Sequence, residues 1–502
     1  MEKSYINKLL LKFYKCKIFN MKKNKNFVFV LIIAFILSRI LYYYFGVRFE
    51  FFPSYWQILP LDLLKNDLLK TLFYNFSQPP LLNFLVGLGL KIGNHLLFLH
   101  LFYLIMGLIA FINFYRILLY FTSAKFSFFL TLILMTMPLT ILWENHGHKD
   151  YLTMCFLINC IFYSLSIIDK NYYKQYLFLS INLILISILR ETFHYFWVLI
   201  FIIFEFLLNK RLKKTFFLFL ITAFFILPFY IKNLIIFNKF QIAGWMYENL
   251  TQKTLYVQQM KNGEHLFLKK LIFKDDFRFN SFISQLSDLQ GNVFQSPSYY
   301  IGKLDYKYKH QHPLLQSDTF HNEVMLKVDE IRKKDFFLYL KNYPEVFVVT
   351  VFNSLSRHYF NSSENFLFIE NNVKKIPKLV LLSHCAKLTV LCFNSSDNQN
   401  YSRKSYAFFS VKDKIYFSLQ QINFLVLFIY IFAIYQFLKF FFSNKKKNVY
   451  SKNFNFWFLT ILFMLFVLLL FEDTEIPRHR FPYEYLMILF SIFYFHKNKN
   501  VN

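Results

Sequence analysis

Glycine and proline are scarce in this chain of 502 residues, which contains 10 glycines and 12 prolines. Disordered and low-complexity chains are usually rich in both, so that class is excluded. Only five cysteines are present, which excludes a disulfide scaffold. Charged residues make up 17% of the chain, against about 25% in a typical soluble domain, whereas apolar residues reach 56%. A soluble multidomain enzyme is therefore excluded as well.

The apolar residues are concentrated in long runs, at 27–46, 97–121, 126–143, 151–168, 215–236, 419–442 and 454–471. A hydrocarbon core about 30 Å thick requires roughly 20 helical residues, and most of these runs reach or approach that length. They do not alternate with polar residues in segments of about ten, as the strands of an outer-membrane barrel would. We therefore expect an all-α polytopic membrane protein.

Basic residues beside the apolar runs predict its orientation. Residues 1–26 contain eight lysines and one glutamate, and an apolar run follows directly. That run is too long for the core of a signal peptide, and no small-residue cleavage site follows it. Because basic segments next to spans stay in the cytoplasm, the pattern predicts an uncleaved first span with a cytoplasmic N-terminus.

Alternation from this first span predicts about ten spans, near 27–46, 97–121, 126–143, 151–168, 175–190, 194–208, 215–236, 419–442, 454–471 and 483–495. The Lys-rich loops 209–214 and 444–453 then both fall on the cytoplasmic side, as does the C-terminus. The segments 345–360 and 376–393 are apolar but short, and the count becomes twelve if both cross. The segment 80–93 is too short to span and is expected to lie along the outer face.

The chain accordingly divides into four parts. Residues 1–26 form a basic cytoplasmic N-terminus, 27–236 a transmembrane core, 237–415 an external region and 416–502 a set of C-terminal spans. The expected location is the inner membrane of a bacterium. The net charge of +28 does not indicate nucleic-acid binding, because the lysines lie largely beside spans and no helix-turn-helix or RNA-binding pattern is present.

Titratable residues gather in three predicted external loops, 47–79, 144–150 and 472–482. The residues that stand out are Asp62, Asp67, Lys149, Asp150, Glu475, Arg478 and Arg480. A membrane enzyme must place such groups where water or a lipid head group can reach them. Because all three loops fall on one predicted face, the sequence indicates a single site between them.

Four short segments resemble the GT-C class of polyprenyl-phosphate-sugar-dependent glycosyltransferases, which includes protein O-mannosyltransferases and lipid A aminoarabinose transferases. An acidic first loop precedes QPPLLN at 78–83, and Lys149-Asp150 looks like the second acidic position of the class. The segment 229–250 is similar to one that follows a late span in a bacterial branch. EIPRHRFPYEYLMI at 475–488 resembles the terminal Arg-containing loop. The spacing leaves open which aspartate of the first loop is catalytic.

The resemblance implies a sugar donor linked to polyprenyl phosphate, membrane lipids as surroundings and an acceptor that is a lipid, glycan or protein. It implies transfer with inversion on the outer face, with Asp62 as general base, Asp67 as its competitor and Asp150 positioning the acceptor or binding a metal. The implied substrate-binding residues are Gln78, Lys149, Glu475, Arg478 and Arg480, with the two arginines on the phosphate. No zinc-type pattern is present, and a divalent metal is left open.

Plainer explanations exist for each residue. Asp62 and Asp67 would also suit an interfacial helix in contact with water, and a carboxylate at a helix start, such as Asp150, is favoured by the helix dipole. Two further groups remain open in the same way. His146 and His148 are either metal ligands or solvated loop residues, and Arg190, Glu191 and His194 form either an internal ion pair or a substrate contact.

Other functional classes compete with the glycosyltransferase. A transporter or flippase would place ionisable residues at the bilayer midplane, whereas Arg39, Arg116 and Glu205 lie towards span ends, where long side chains reach the interface. A polysaccharide polymerase or ligase would concentrate Arg and His in its large external loop. A non-catalytic scaffold would not need acidic and basic residues on one face.

The topology generates the first prediction. Residues 47–79, 144–150 and 472–482 should all face away from the cytoplasm, because the Lys-rich loops lie on the opposite side. Engineered cysteines in these segments should react with a membrane-impermeant reagent in whole cells. Labelling in 444–453 without labelling in 144–150 would overturn the orientation and the site.

Overall fold

The computed structural model describes residues 25–51, 57–170, 172–244, 250, 275–286, 296–345, 347–348, 351, 424–442, 449–471 and 476–499. Within these residues the chain forms α-helices and no β-strand. A single isolated bridge pairs Glu50 with His146. The predicted all-α class is confirmed for this part of the chain.

The helices of the first half are α1 Lys25–Tyr44, α2 Leu61–Asn66, α3 Leu68–Tyr74, α4 Pro80–Ile92, α5 His95–Leu118, α6 Ala124–Thr136, α7 Pro138–Asn145, α8 Lys149–Lys170, α9 Tyr173–Leu189, α10 Tyr195–Asn209 and α11 Leu212–Phe237. The later described helices are α12 Asp276–Ile283, α13 Pro297–Leu304, α14 Pro313–Gln316, α15 Val324–Asn342, α16 Phe424–Phe441, α17 Val449–Phe471 and α18 Ile476–Lys499.

By length and composition, four helices in the described residues can cross a membrane: α1, α5, α8 and α11. The pair α6 and α7 makes a fifth if it counts as one broken span. The chain therefore has the helices of a membrane protein. The predicted total of about ten spans stays a prediction, because helices such as α9 and α10 are shorter. Residues 376–393 and most of 345–360 lie outside the described residues.

The break between α6 and α7 has a local cause. The two helices are bent by 52° at Met137, which precedes Pro138. A residue before proline is disfavoured in the helical conformation, and Met137 accordingly has φ −57° and ψ 141°. The hydroxyl of Thr140 donates to the Leu134 carbonyl at 2.6 Å, which satisfies an acceptor near the helix end. The bend therefore follows from the sequence and does not leave that carbonyl unsatisfied.

Helix α8 is the centre of the bundle. In its most apolar 18-residue stretch, 83% of the residues are buried. The corresponding share is 22–28% in α1, α5 and α11. It packs against α5, α9, α17 and α18. Asn113 of α5 donates to Asn159 of α8 at 2.9 Å, a polar contact of the kind that joins helices in lipid.

Helix α8 also connects two polar ends of the bundle. At its C-terminal end, Asp169 accepts hydrogen bonds from Tyr120, at 2.7 Å, and from Tyr450. Arg211 donates to the Ile167 carbonyl at 2.9 Å, so the basic 209–214 loop lies at this end too. At the other end, α8 starts at Lys149. The loop 209–214, predicted to be cytoplasmic, and the loop 144–150, predicted to be external, therefore lie at opposite ends of α8.

Residues 296–345 pack onto the loop between α3 and α4 and onto the end of α11. Their shared core consists of Phe76, Phe237, Tyr300, Leu315, Val324, Met325 and Val328. Lys239 pairs with Asp329 of α15 at 2.8 Å, and Arg332 donates to the Tyr300 hydroxyl at 2.9 Å. Part of the region 237–415, which the sequence predicts to be an external region of mixed structure, is therefore helical and attached to the first loop.

The buried side chain of His321 joins the region 296–345 to the first loop. His321 is 2% exposed, with its Nδ1 2.5 Å from the Ser77 hydroxyl and its Nε2 3.2 Å from the Ile58 carbonyl. Since Nε2 can only donate to that carbonyl, Nδ1 of the neutral ring accepts from Ser77. Burial lowers the pKa of His321 to about 4, although the hydrogen bond to Ile58 acts in the opposite direction.

Because the pKa of His321 is lowered in the folded protein, the free energy of unfolding should depend on pH. A histidine has an unfolded pKa near 6.5, so between about pH 6.5 and 4 the unfolded chain binds a proton that the native chain does not. The free energy of unfolding should therefore fall as the pH is lowered through this window, by about 3 kcal/mol at most. Thermal unfolding in detergent should show a larger loss between pH 7 and pH 4.5 for the wild type than for His321→Gln. Equal losses would contradict the assignment.

Candidate functional site

The segment after α1 is fixed onto the segment before α8. The amide of Glu50 donates to the Asn145 carbonyl at 2.7 Å, and the amide of Gly147 donates to the Glu50 carbonyl at 2.8 Å. A Cβ atom at Gly147 would lie 3.0 Å from that carbonyl oxygen and 3.0 Å from the Phe49 ring. A side chain at 147 would therefore be crowded against this pairing, which places Glu50 beside the start of α8.

Glu144 of α7 directly precedes Asn145 in the sequence. Arg39 of α1 donates two hydrogen bonds to it, Nε to Oε1 at 2.9 Å and Nη2 to Oε2 at 2.8 Å. The Tyr151 hydroxyl donates to the same Oε2 at 2.6 Å. Arg39 also donates to the Met135 carbonyl at 3.0 Å. The sequence predicted that Arg39 would reach the interface from a span end, whereas it is instead the partner of a fully buried carboxylate.

The packing around this pair leaves no spare room. A Cβ atom at Gly107 of α5 would lie 2.1 Å from the Tyr151 hydroxyl and 3.0 Å from Glu144 Oε2. Any larger residue at 107 would have to displace the tyrosine that donates to Glu144. The backbone of α5 at Gly107 therefore packs directly against Tyr151 and Glu144.

Asp150, in the first turn of α8, is fully buried between two donors. Its Oδ1 accepts from Arg190 Nη1 at 2.8 Å, and its Oδ2 lies 2.5 Å from His148 Nδ1. The His148 carbonyl accepts from the Tyr103 hydroxyl at 2.9 Å. His146 and His148 are 3% and 5% exposed, so they are not solvated loop residues.

The ion pair of Lys149 and Glu191 lies beside that of Asp150 and Arg190. Lys149 Nζ is 3.5 Å from Glu191 Oε2, and the lysine side chain is 4% exposed while the glutamate is 36% exposed. Burial raises the pKa of the Glu191 carboxyl, but Lys149 and Arg190 outweigh it, so the pKa is lowered. The turn after α9 therefore belongs to the site through its ion pairs with the start of α8. We call Arg39, Glu144, His148, Lys149, Asp150, Arg190 and Glu191 the charged cluster.

The two aspartates of the first loop lie elsewhere. Asp62 is in the first turn of α2 and Asp67 is between α2 and α3, and both are exposed. Helix α2 packs against α4. Neither carboxylate has a contact with the charged cluster among the described residues. Gln78 is 3% exposed, and its backbone is held by the side chain of Asn75.

The third predicted loop is only partly described. Glu475 lies outside the described residues, and the chain is helical from Ile476, so Arg478 and Arg480 lie in the first turns of α18 and not in a loop. The Phe481 ring stacks on Trp143 of α7 with centroids 4.8 Å apart. The start of α18 therefore adjoins the helix that carries Glu144.

Sequence reasoning missed the importance of Glu50, Glu144 and Tyr151. Glu50 is the first acidic residue after the first span, which was a usable signal. Glu144 lies in the predicted external loop 144–150 but was not singled out, because its partner Arg39 is 105 positions away in the sequence. Tyr151 gave no signal. No group of three or more metal-ligating side chains occurs in the part of the chain that the structure describes.

No family model, curated protein or solved structure matches this chain. The resemblance to the GT-C class therefore stays an expectation from short segments. Function must be inferred from the geometry of the charged cluster.

The buried ion pair generates a stability prediction. Glu144→Gln removes the charge that compensates Arg39, and loss of one partner of a buried pair costs about 3–5 kcal/mol. The melting temperature in detergent should fall markedly. Glu330→Gln is the matched control, because Glu330 and Lys327 form a pair more than half exposed, at 3.5 Å, and such pairs contribute about 0–1 kcal/mol. Equal melting temperatures for both variants would refute the structural role of Glu144.

Proposed function

We propose that the protein is an integral membrane glycosyltransferase that moves a sugar from a polyprenyl-phosphate donor to a lipid, glycan or protein acceptor. The observation that supports this most is the pairing of Glu50 with residues 145–147. It fixes the backbone of Glu50, an acidic residue of the first loop, against the segment that directly precedes Lys149 and Asp150.

Transfer of a sugar from a lipid phosphate requires both carboxylates and cationic side chains. The acceptor oxygen or nitrogen forms a bond to C1 of the sugar while the bond from C1 to the phosphate oxygen breaks, and the phosphate leaves with the bonding electrons. A carboxylate takes the acceptor proton, which accelerates such steps by about 10²–10⁴-fold. The transition state has oxocarbenium character, and cations stabilise the departing phosphate.

Glu50 is the best-placed general base. It is half-buried and held beside the start of α8, whereas Asp62 and Asp67 are exposed on short helices. Asp150 already accepts from Arg190 and lies against His148, so in this proposal it orients these two side chains. Asp62 and Asp67 remain competitors for the base.

The charge distribution supports an outward-facing site. The loop at the opposite end of α8 carries Lys210, Arg211, Lys213 and Lys214. Basic loops of this kind stay in the cytoplasm, so the charged cluster would face the outer surface of the inner membrane. A lipid-linked sugar could reach it there from within the bilayer.

A transporter or flippase is the second candidate, and the break between α6 and α7 favours it. The 52° bend lies beside the buried ion pair of Arg39 and Glu144. Broken helices next to buried charges are typical of transport sites. A transporter would move its substrate without breaking a covalent bond, which separates the two candidates.

The base is tested by three single variants, Glu50→Gln, Asp62→Asn and Asp67→Asn, assayed for sugar release from a polyprenyl-phosphate sugar by the purified protein. An amide keeps the shape but accepts no proton at neutral pH. Glu50→Gln should lower turnover by about 10²-fold or more with donor binding little changed, and the two Asn variants should stay near wild type.

Loss of activity in Asp62→Asn alone would transfer the role of base to Asp62. Full activity in all three variants would rule out a base in this loop. Movement of an intact sugar lipid across the bilayer without cleavage would support the transporter.

A further inference from the structure

Lys232, near the end of α11, is a cation with no anionic partner in the described part of the chain. Its Nζ donates to the Asn75 carbonyl at 2.5 Å, and it forms no ion pair with any carboxylate among the described residues. Lys232 is half-buried, and taking an ammonium partly out of water is unfavourable unless a negative charge or several acceptors replace the lost water. One carbonyl uses one of its three donors.

An unsatisfied donor lies on the turn that Lys232 contacts. Gln78 is 3% exposed, and its Nε2 has no hydrogen-bond partner among the residues that the structure describes. Asn75 connects it to Lys232, since the Asn75 side chain donates to the Gln78 carbonyl at 2.7 Å and accepts from the Gln78 amide at 3.2 Å. Buried donors without partners are rare in proteins, so the Gln78 amide group, close to an ammonium that uses one of its three donors, indicates a missing acceptor.

The start of α4 adds a third source of donors. Gln78 directly precedes Pro79, the N-cap of α4, and no side chain caps this helix. The first amides of a helix have no intrahelical acceptor, and the positive end of the helix dipole favours an anion. Pro79 and Pro80 have no amide hydrogen, so the donors at this helix start are the amides that follow Pro80.

We infer that Lys232, Gln78 and the start of α4 form a binding site for the phosphate group of a lipid phosphate. Phosphate matches the donors in number and charge, because it offers several acceptor oxygens and at least one negative charge. The choice of a lipid as its source rests on the proposed function.

The site lies at the same end of the bundle as the charged cluster. The Tyr195 amide, next to the turn that carries Arg190 and Glu191, donates to the hydroxyl of Tyr230, two residues before Lys232, at 3.2 Å. A phosphate held by Lys232 would therefore leave its linked group near that end.

The test measures binding of polyprenyl phosphate without a sugar to the full-length protein in nanodiscs. Lys232→Gln should weaken binding about tenfold or more, because an amide can still donate to the Asn75 carbonyl but carries no charge. Lys232→Arg should largely retain binding, and Gln78→Leu should weaken it. Melting temperatures show whether each variant is folded.

Lys239→Gln is the matched control. Lys239 lies just beyond the same helix but is paired with Asp329 at 2.8 Å, so its loss should change lipid-phosphate binding less than twofold. Equal binding by wild type and folded Lys232→Gln would overturn the site, as would equal binding of polyprenol, which has no phosphate. Inorganic phosphate binding as tightly as the lipid would retain a phosphate site and overturn the lipid as its source.

These readouts do not depend on sugar transfer. If the protein transfers sugar and Lys232→Gln leaves the KM for the donor unchanged, the site is wrong and the proposed function stands. If no transfer occurs but phosphate binding requires Lys232, the proposed function is wrong and the site stands.

Discussion

The pairing of buried charges is the constraint on which the rest of the structure depends. Arg39 and Glu144 are removed from water inside a helix bundle, where an uncompensated charge would be strongly destabilising. Their two hydrogen bonds, with that of Tyr151, join α1, α7 and α8 at one level. The chain that leaves α1 then runs past the segment before α8, where Glu50 pairs with Asn145 and Gly147.

The sequence predicts the coarse architecture well, because long apolar runs and basic flanks reflect the membrane directly. It predicts that 80–93 is too short to span, and α4 has 13 residues. It does not predict the break at Met137, although Pro138 was a local signal for it. Helix bounds at 144–150 and 472–482 also differ, because helices α7 and α18 continue into residues that were interpreted as loops.

The site is less predictable than the fold. Asp150 was identified as an acidic residue at a helix start, but its partner Arg190 lies 40 positions later in the sequence, in the turn after α9. Titratable residues counted along a loop do not reveal which are buried in pairs and which face water. Burial distinguishes Asp150 from Asp62, and burial depends on packing between helices that periodicity alone does not specify.

The balance of charge in the cluster bears on how a phosphate could be accommodated. Arg39, Lys149 and Arg190 each have a carboxylate partner, in Glu144, Glu191 and Asp150. A phosphate that arrived beside these cations would have to compete with the carboxylates or add an unbalanced negative charge. Lys232 has no such competitor among the described residues. In the proposed glycosyl transfer, the donor phosphate at Lys232 and the base at Glu50 would therefore be held by separate parts of the same end of the bundle.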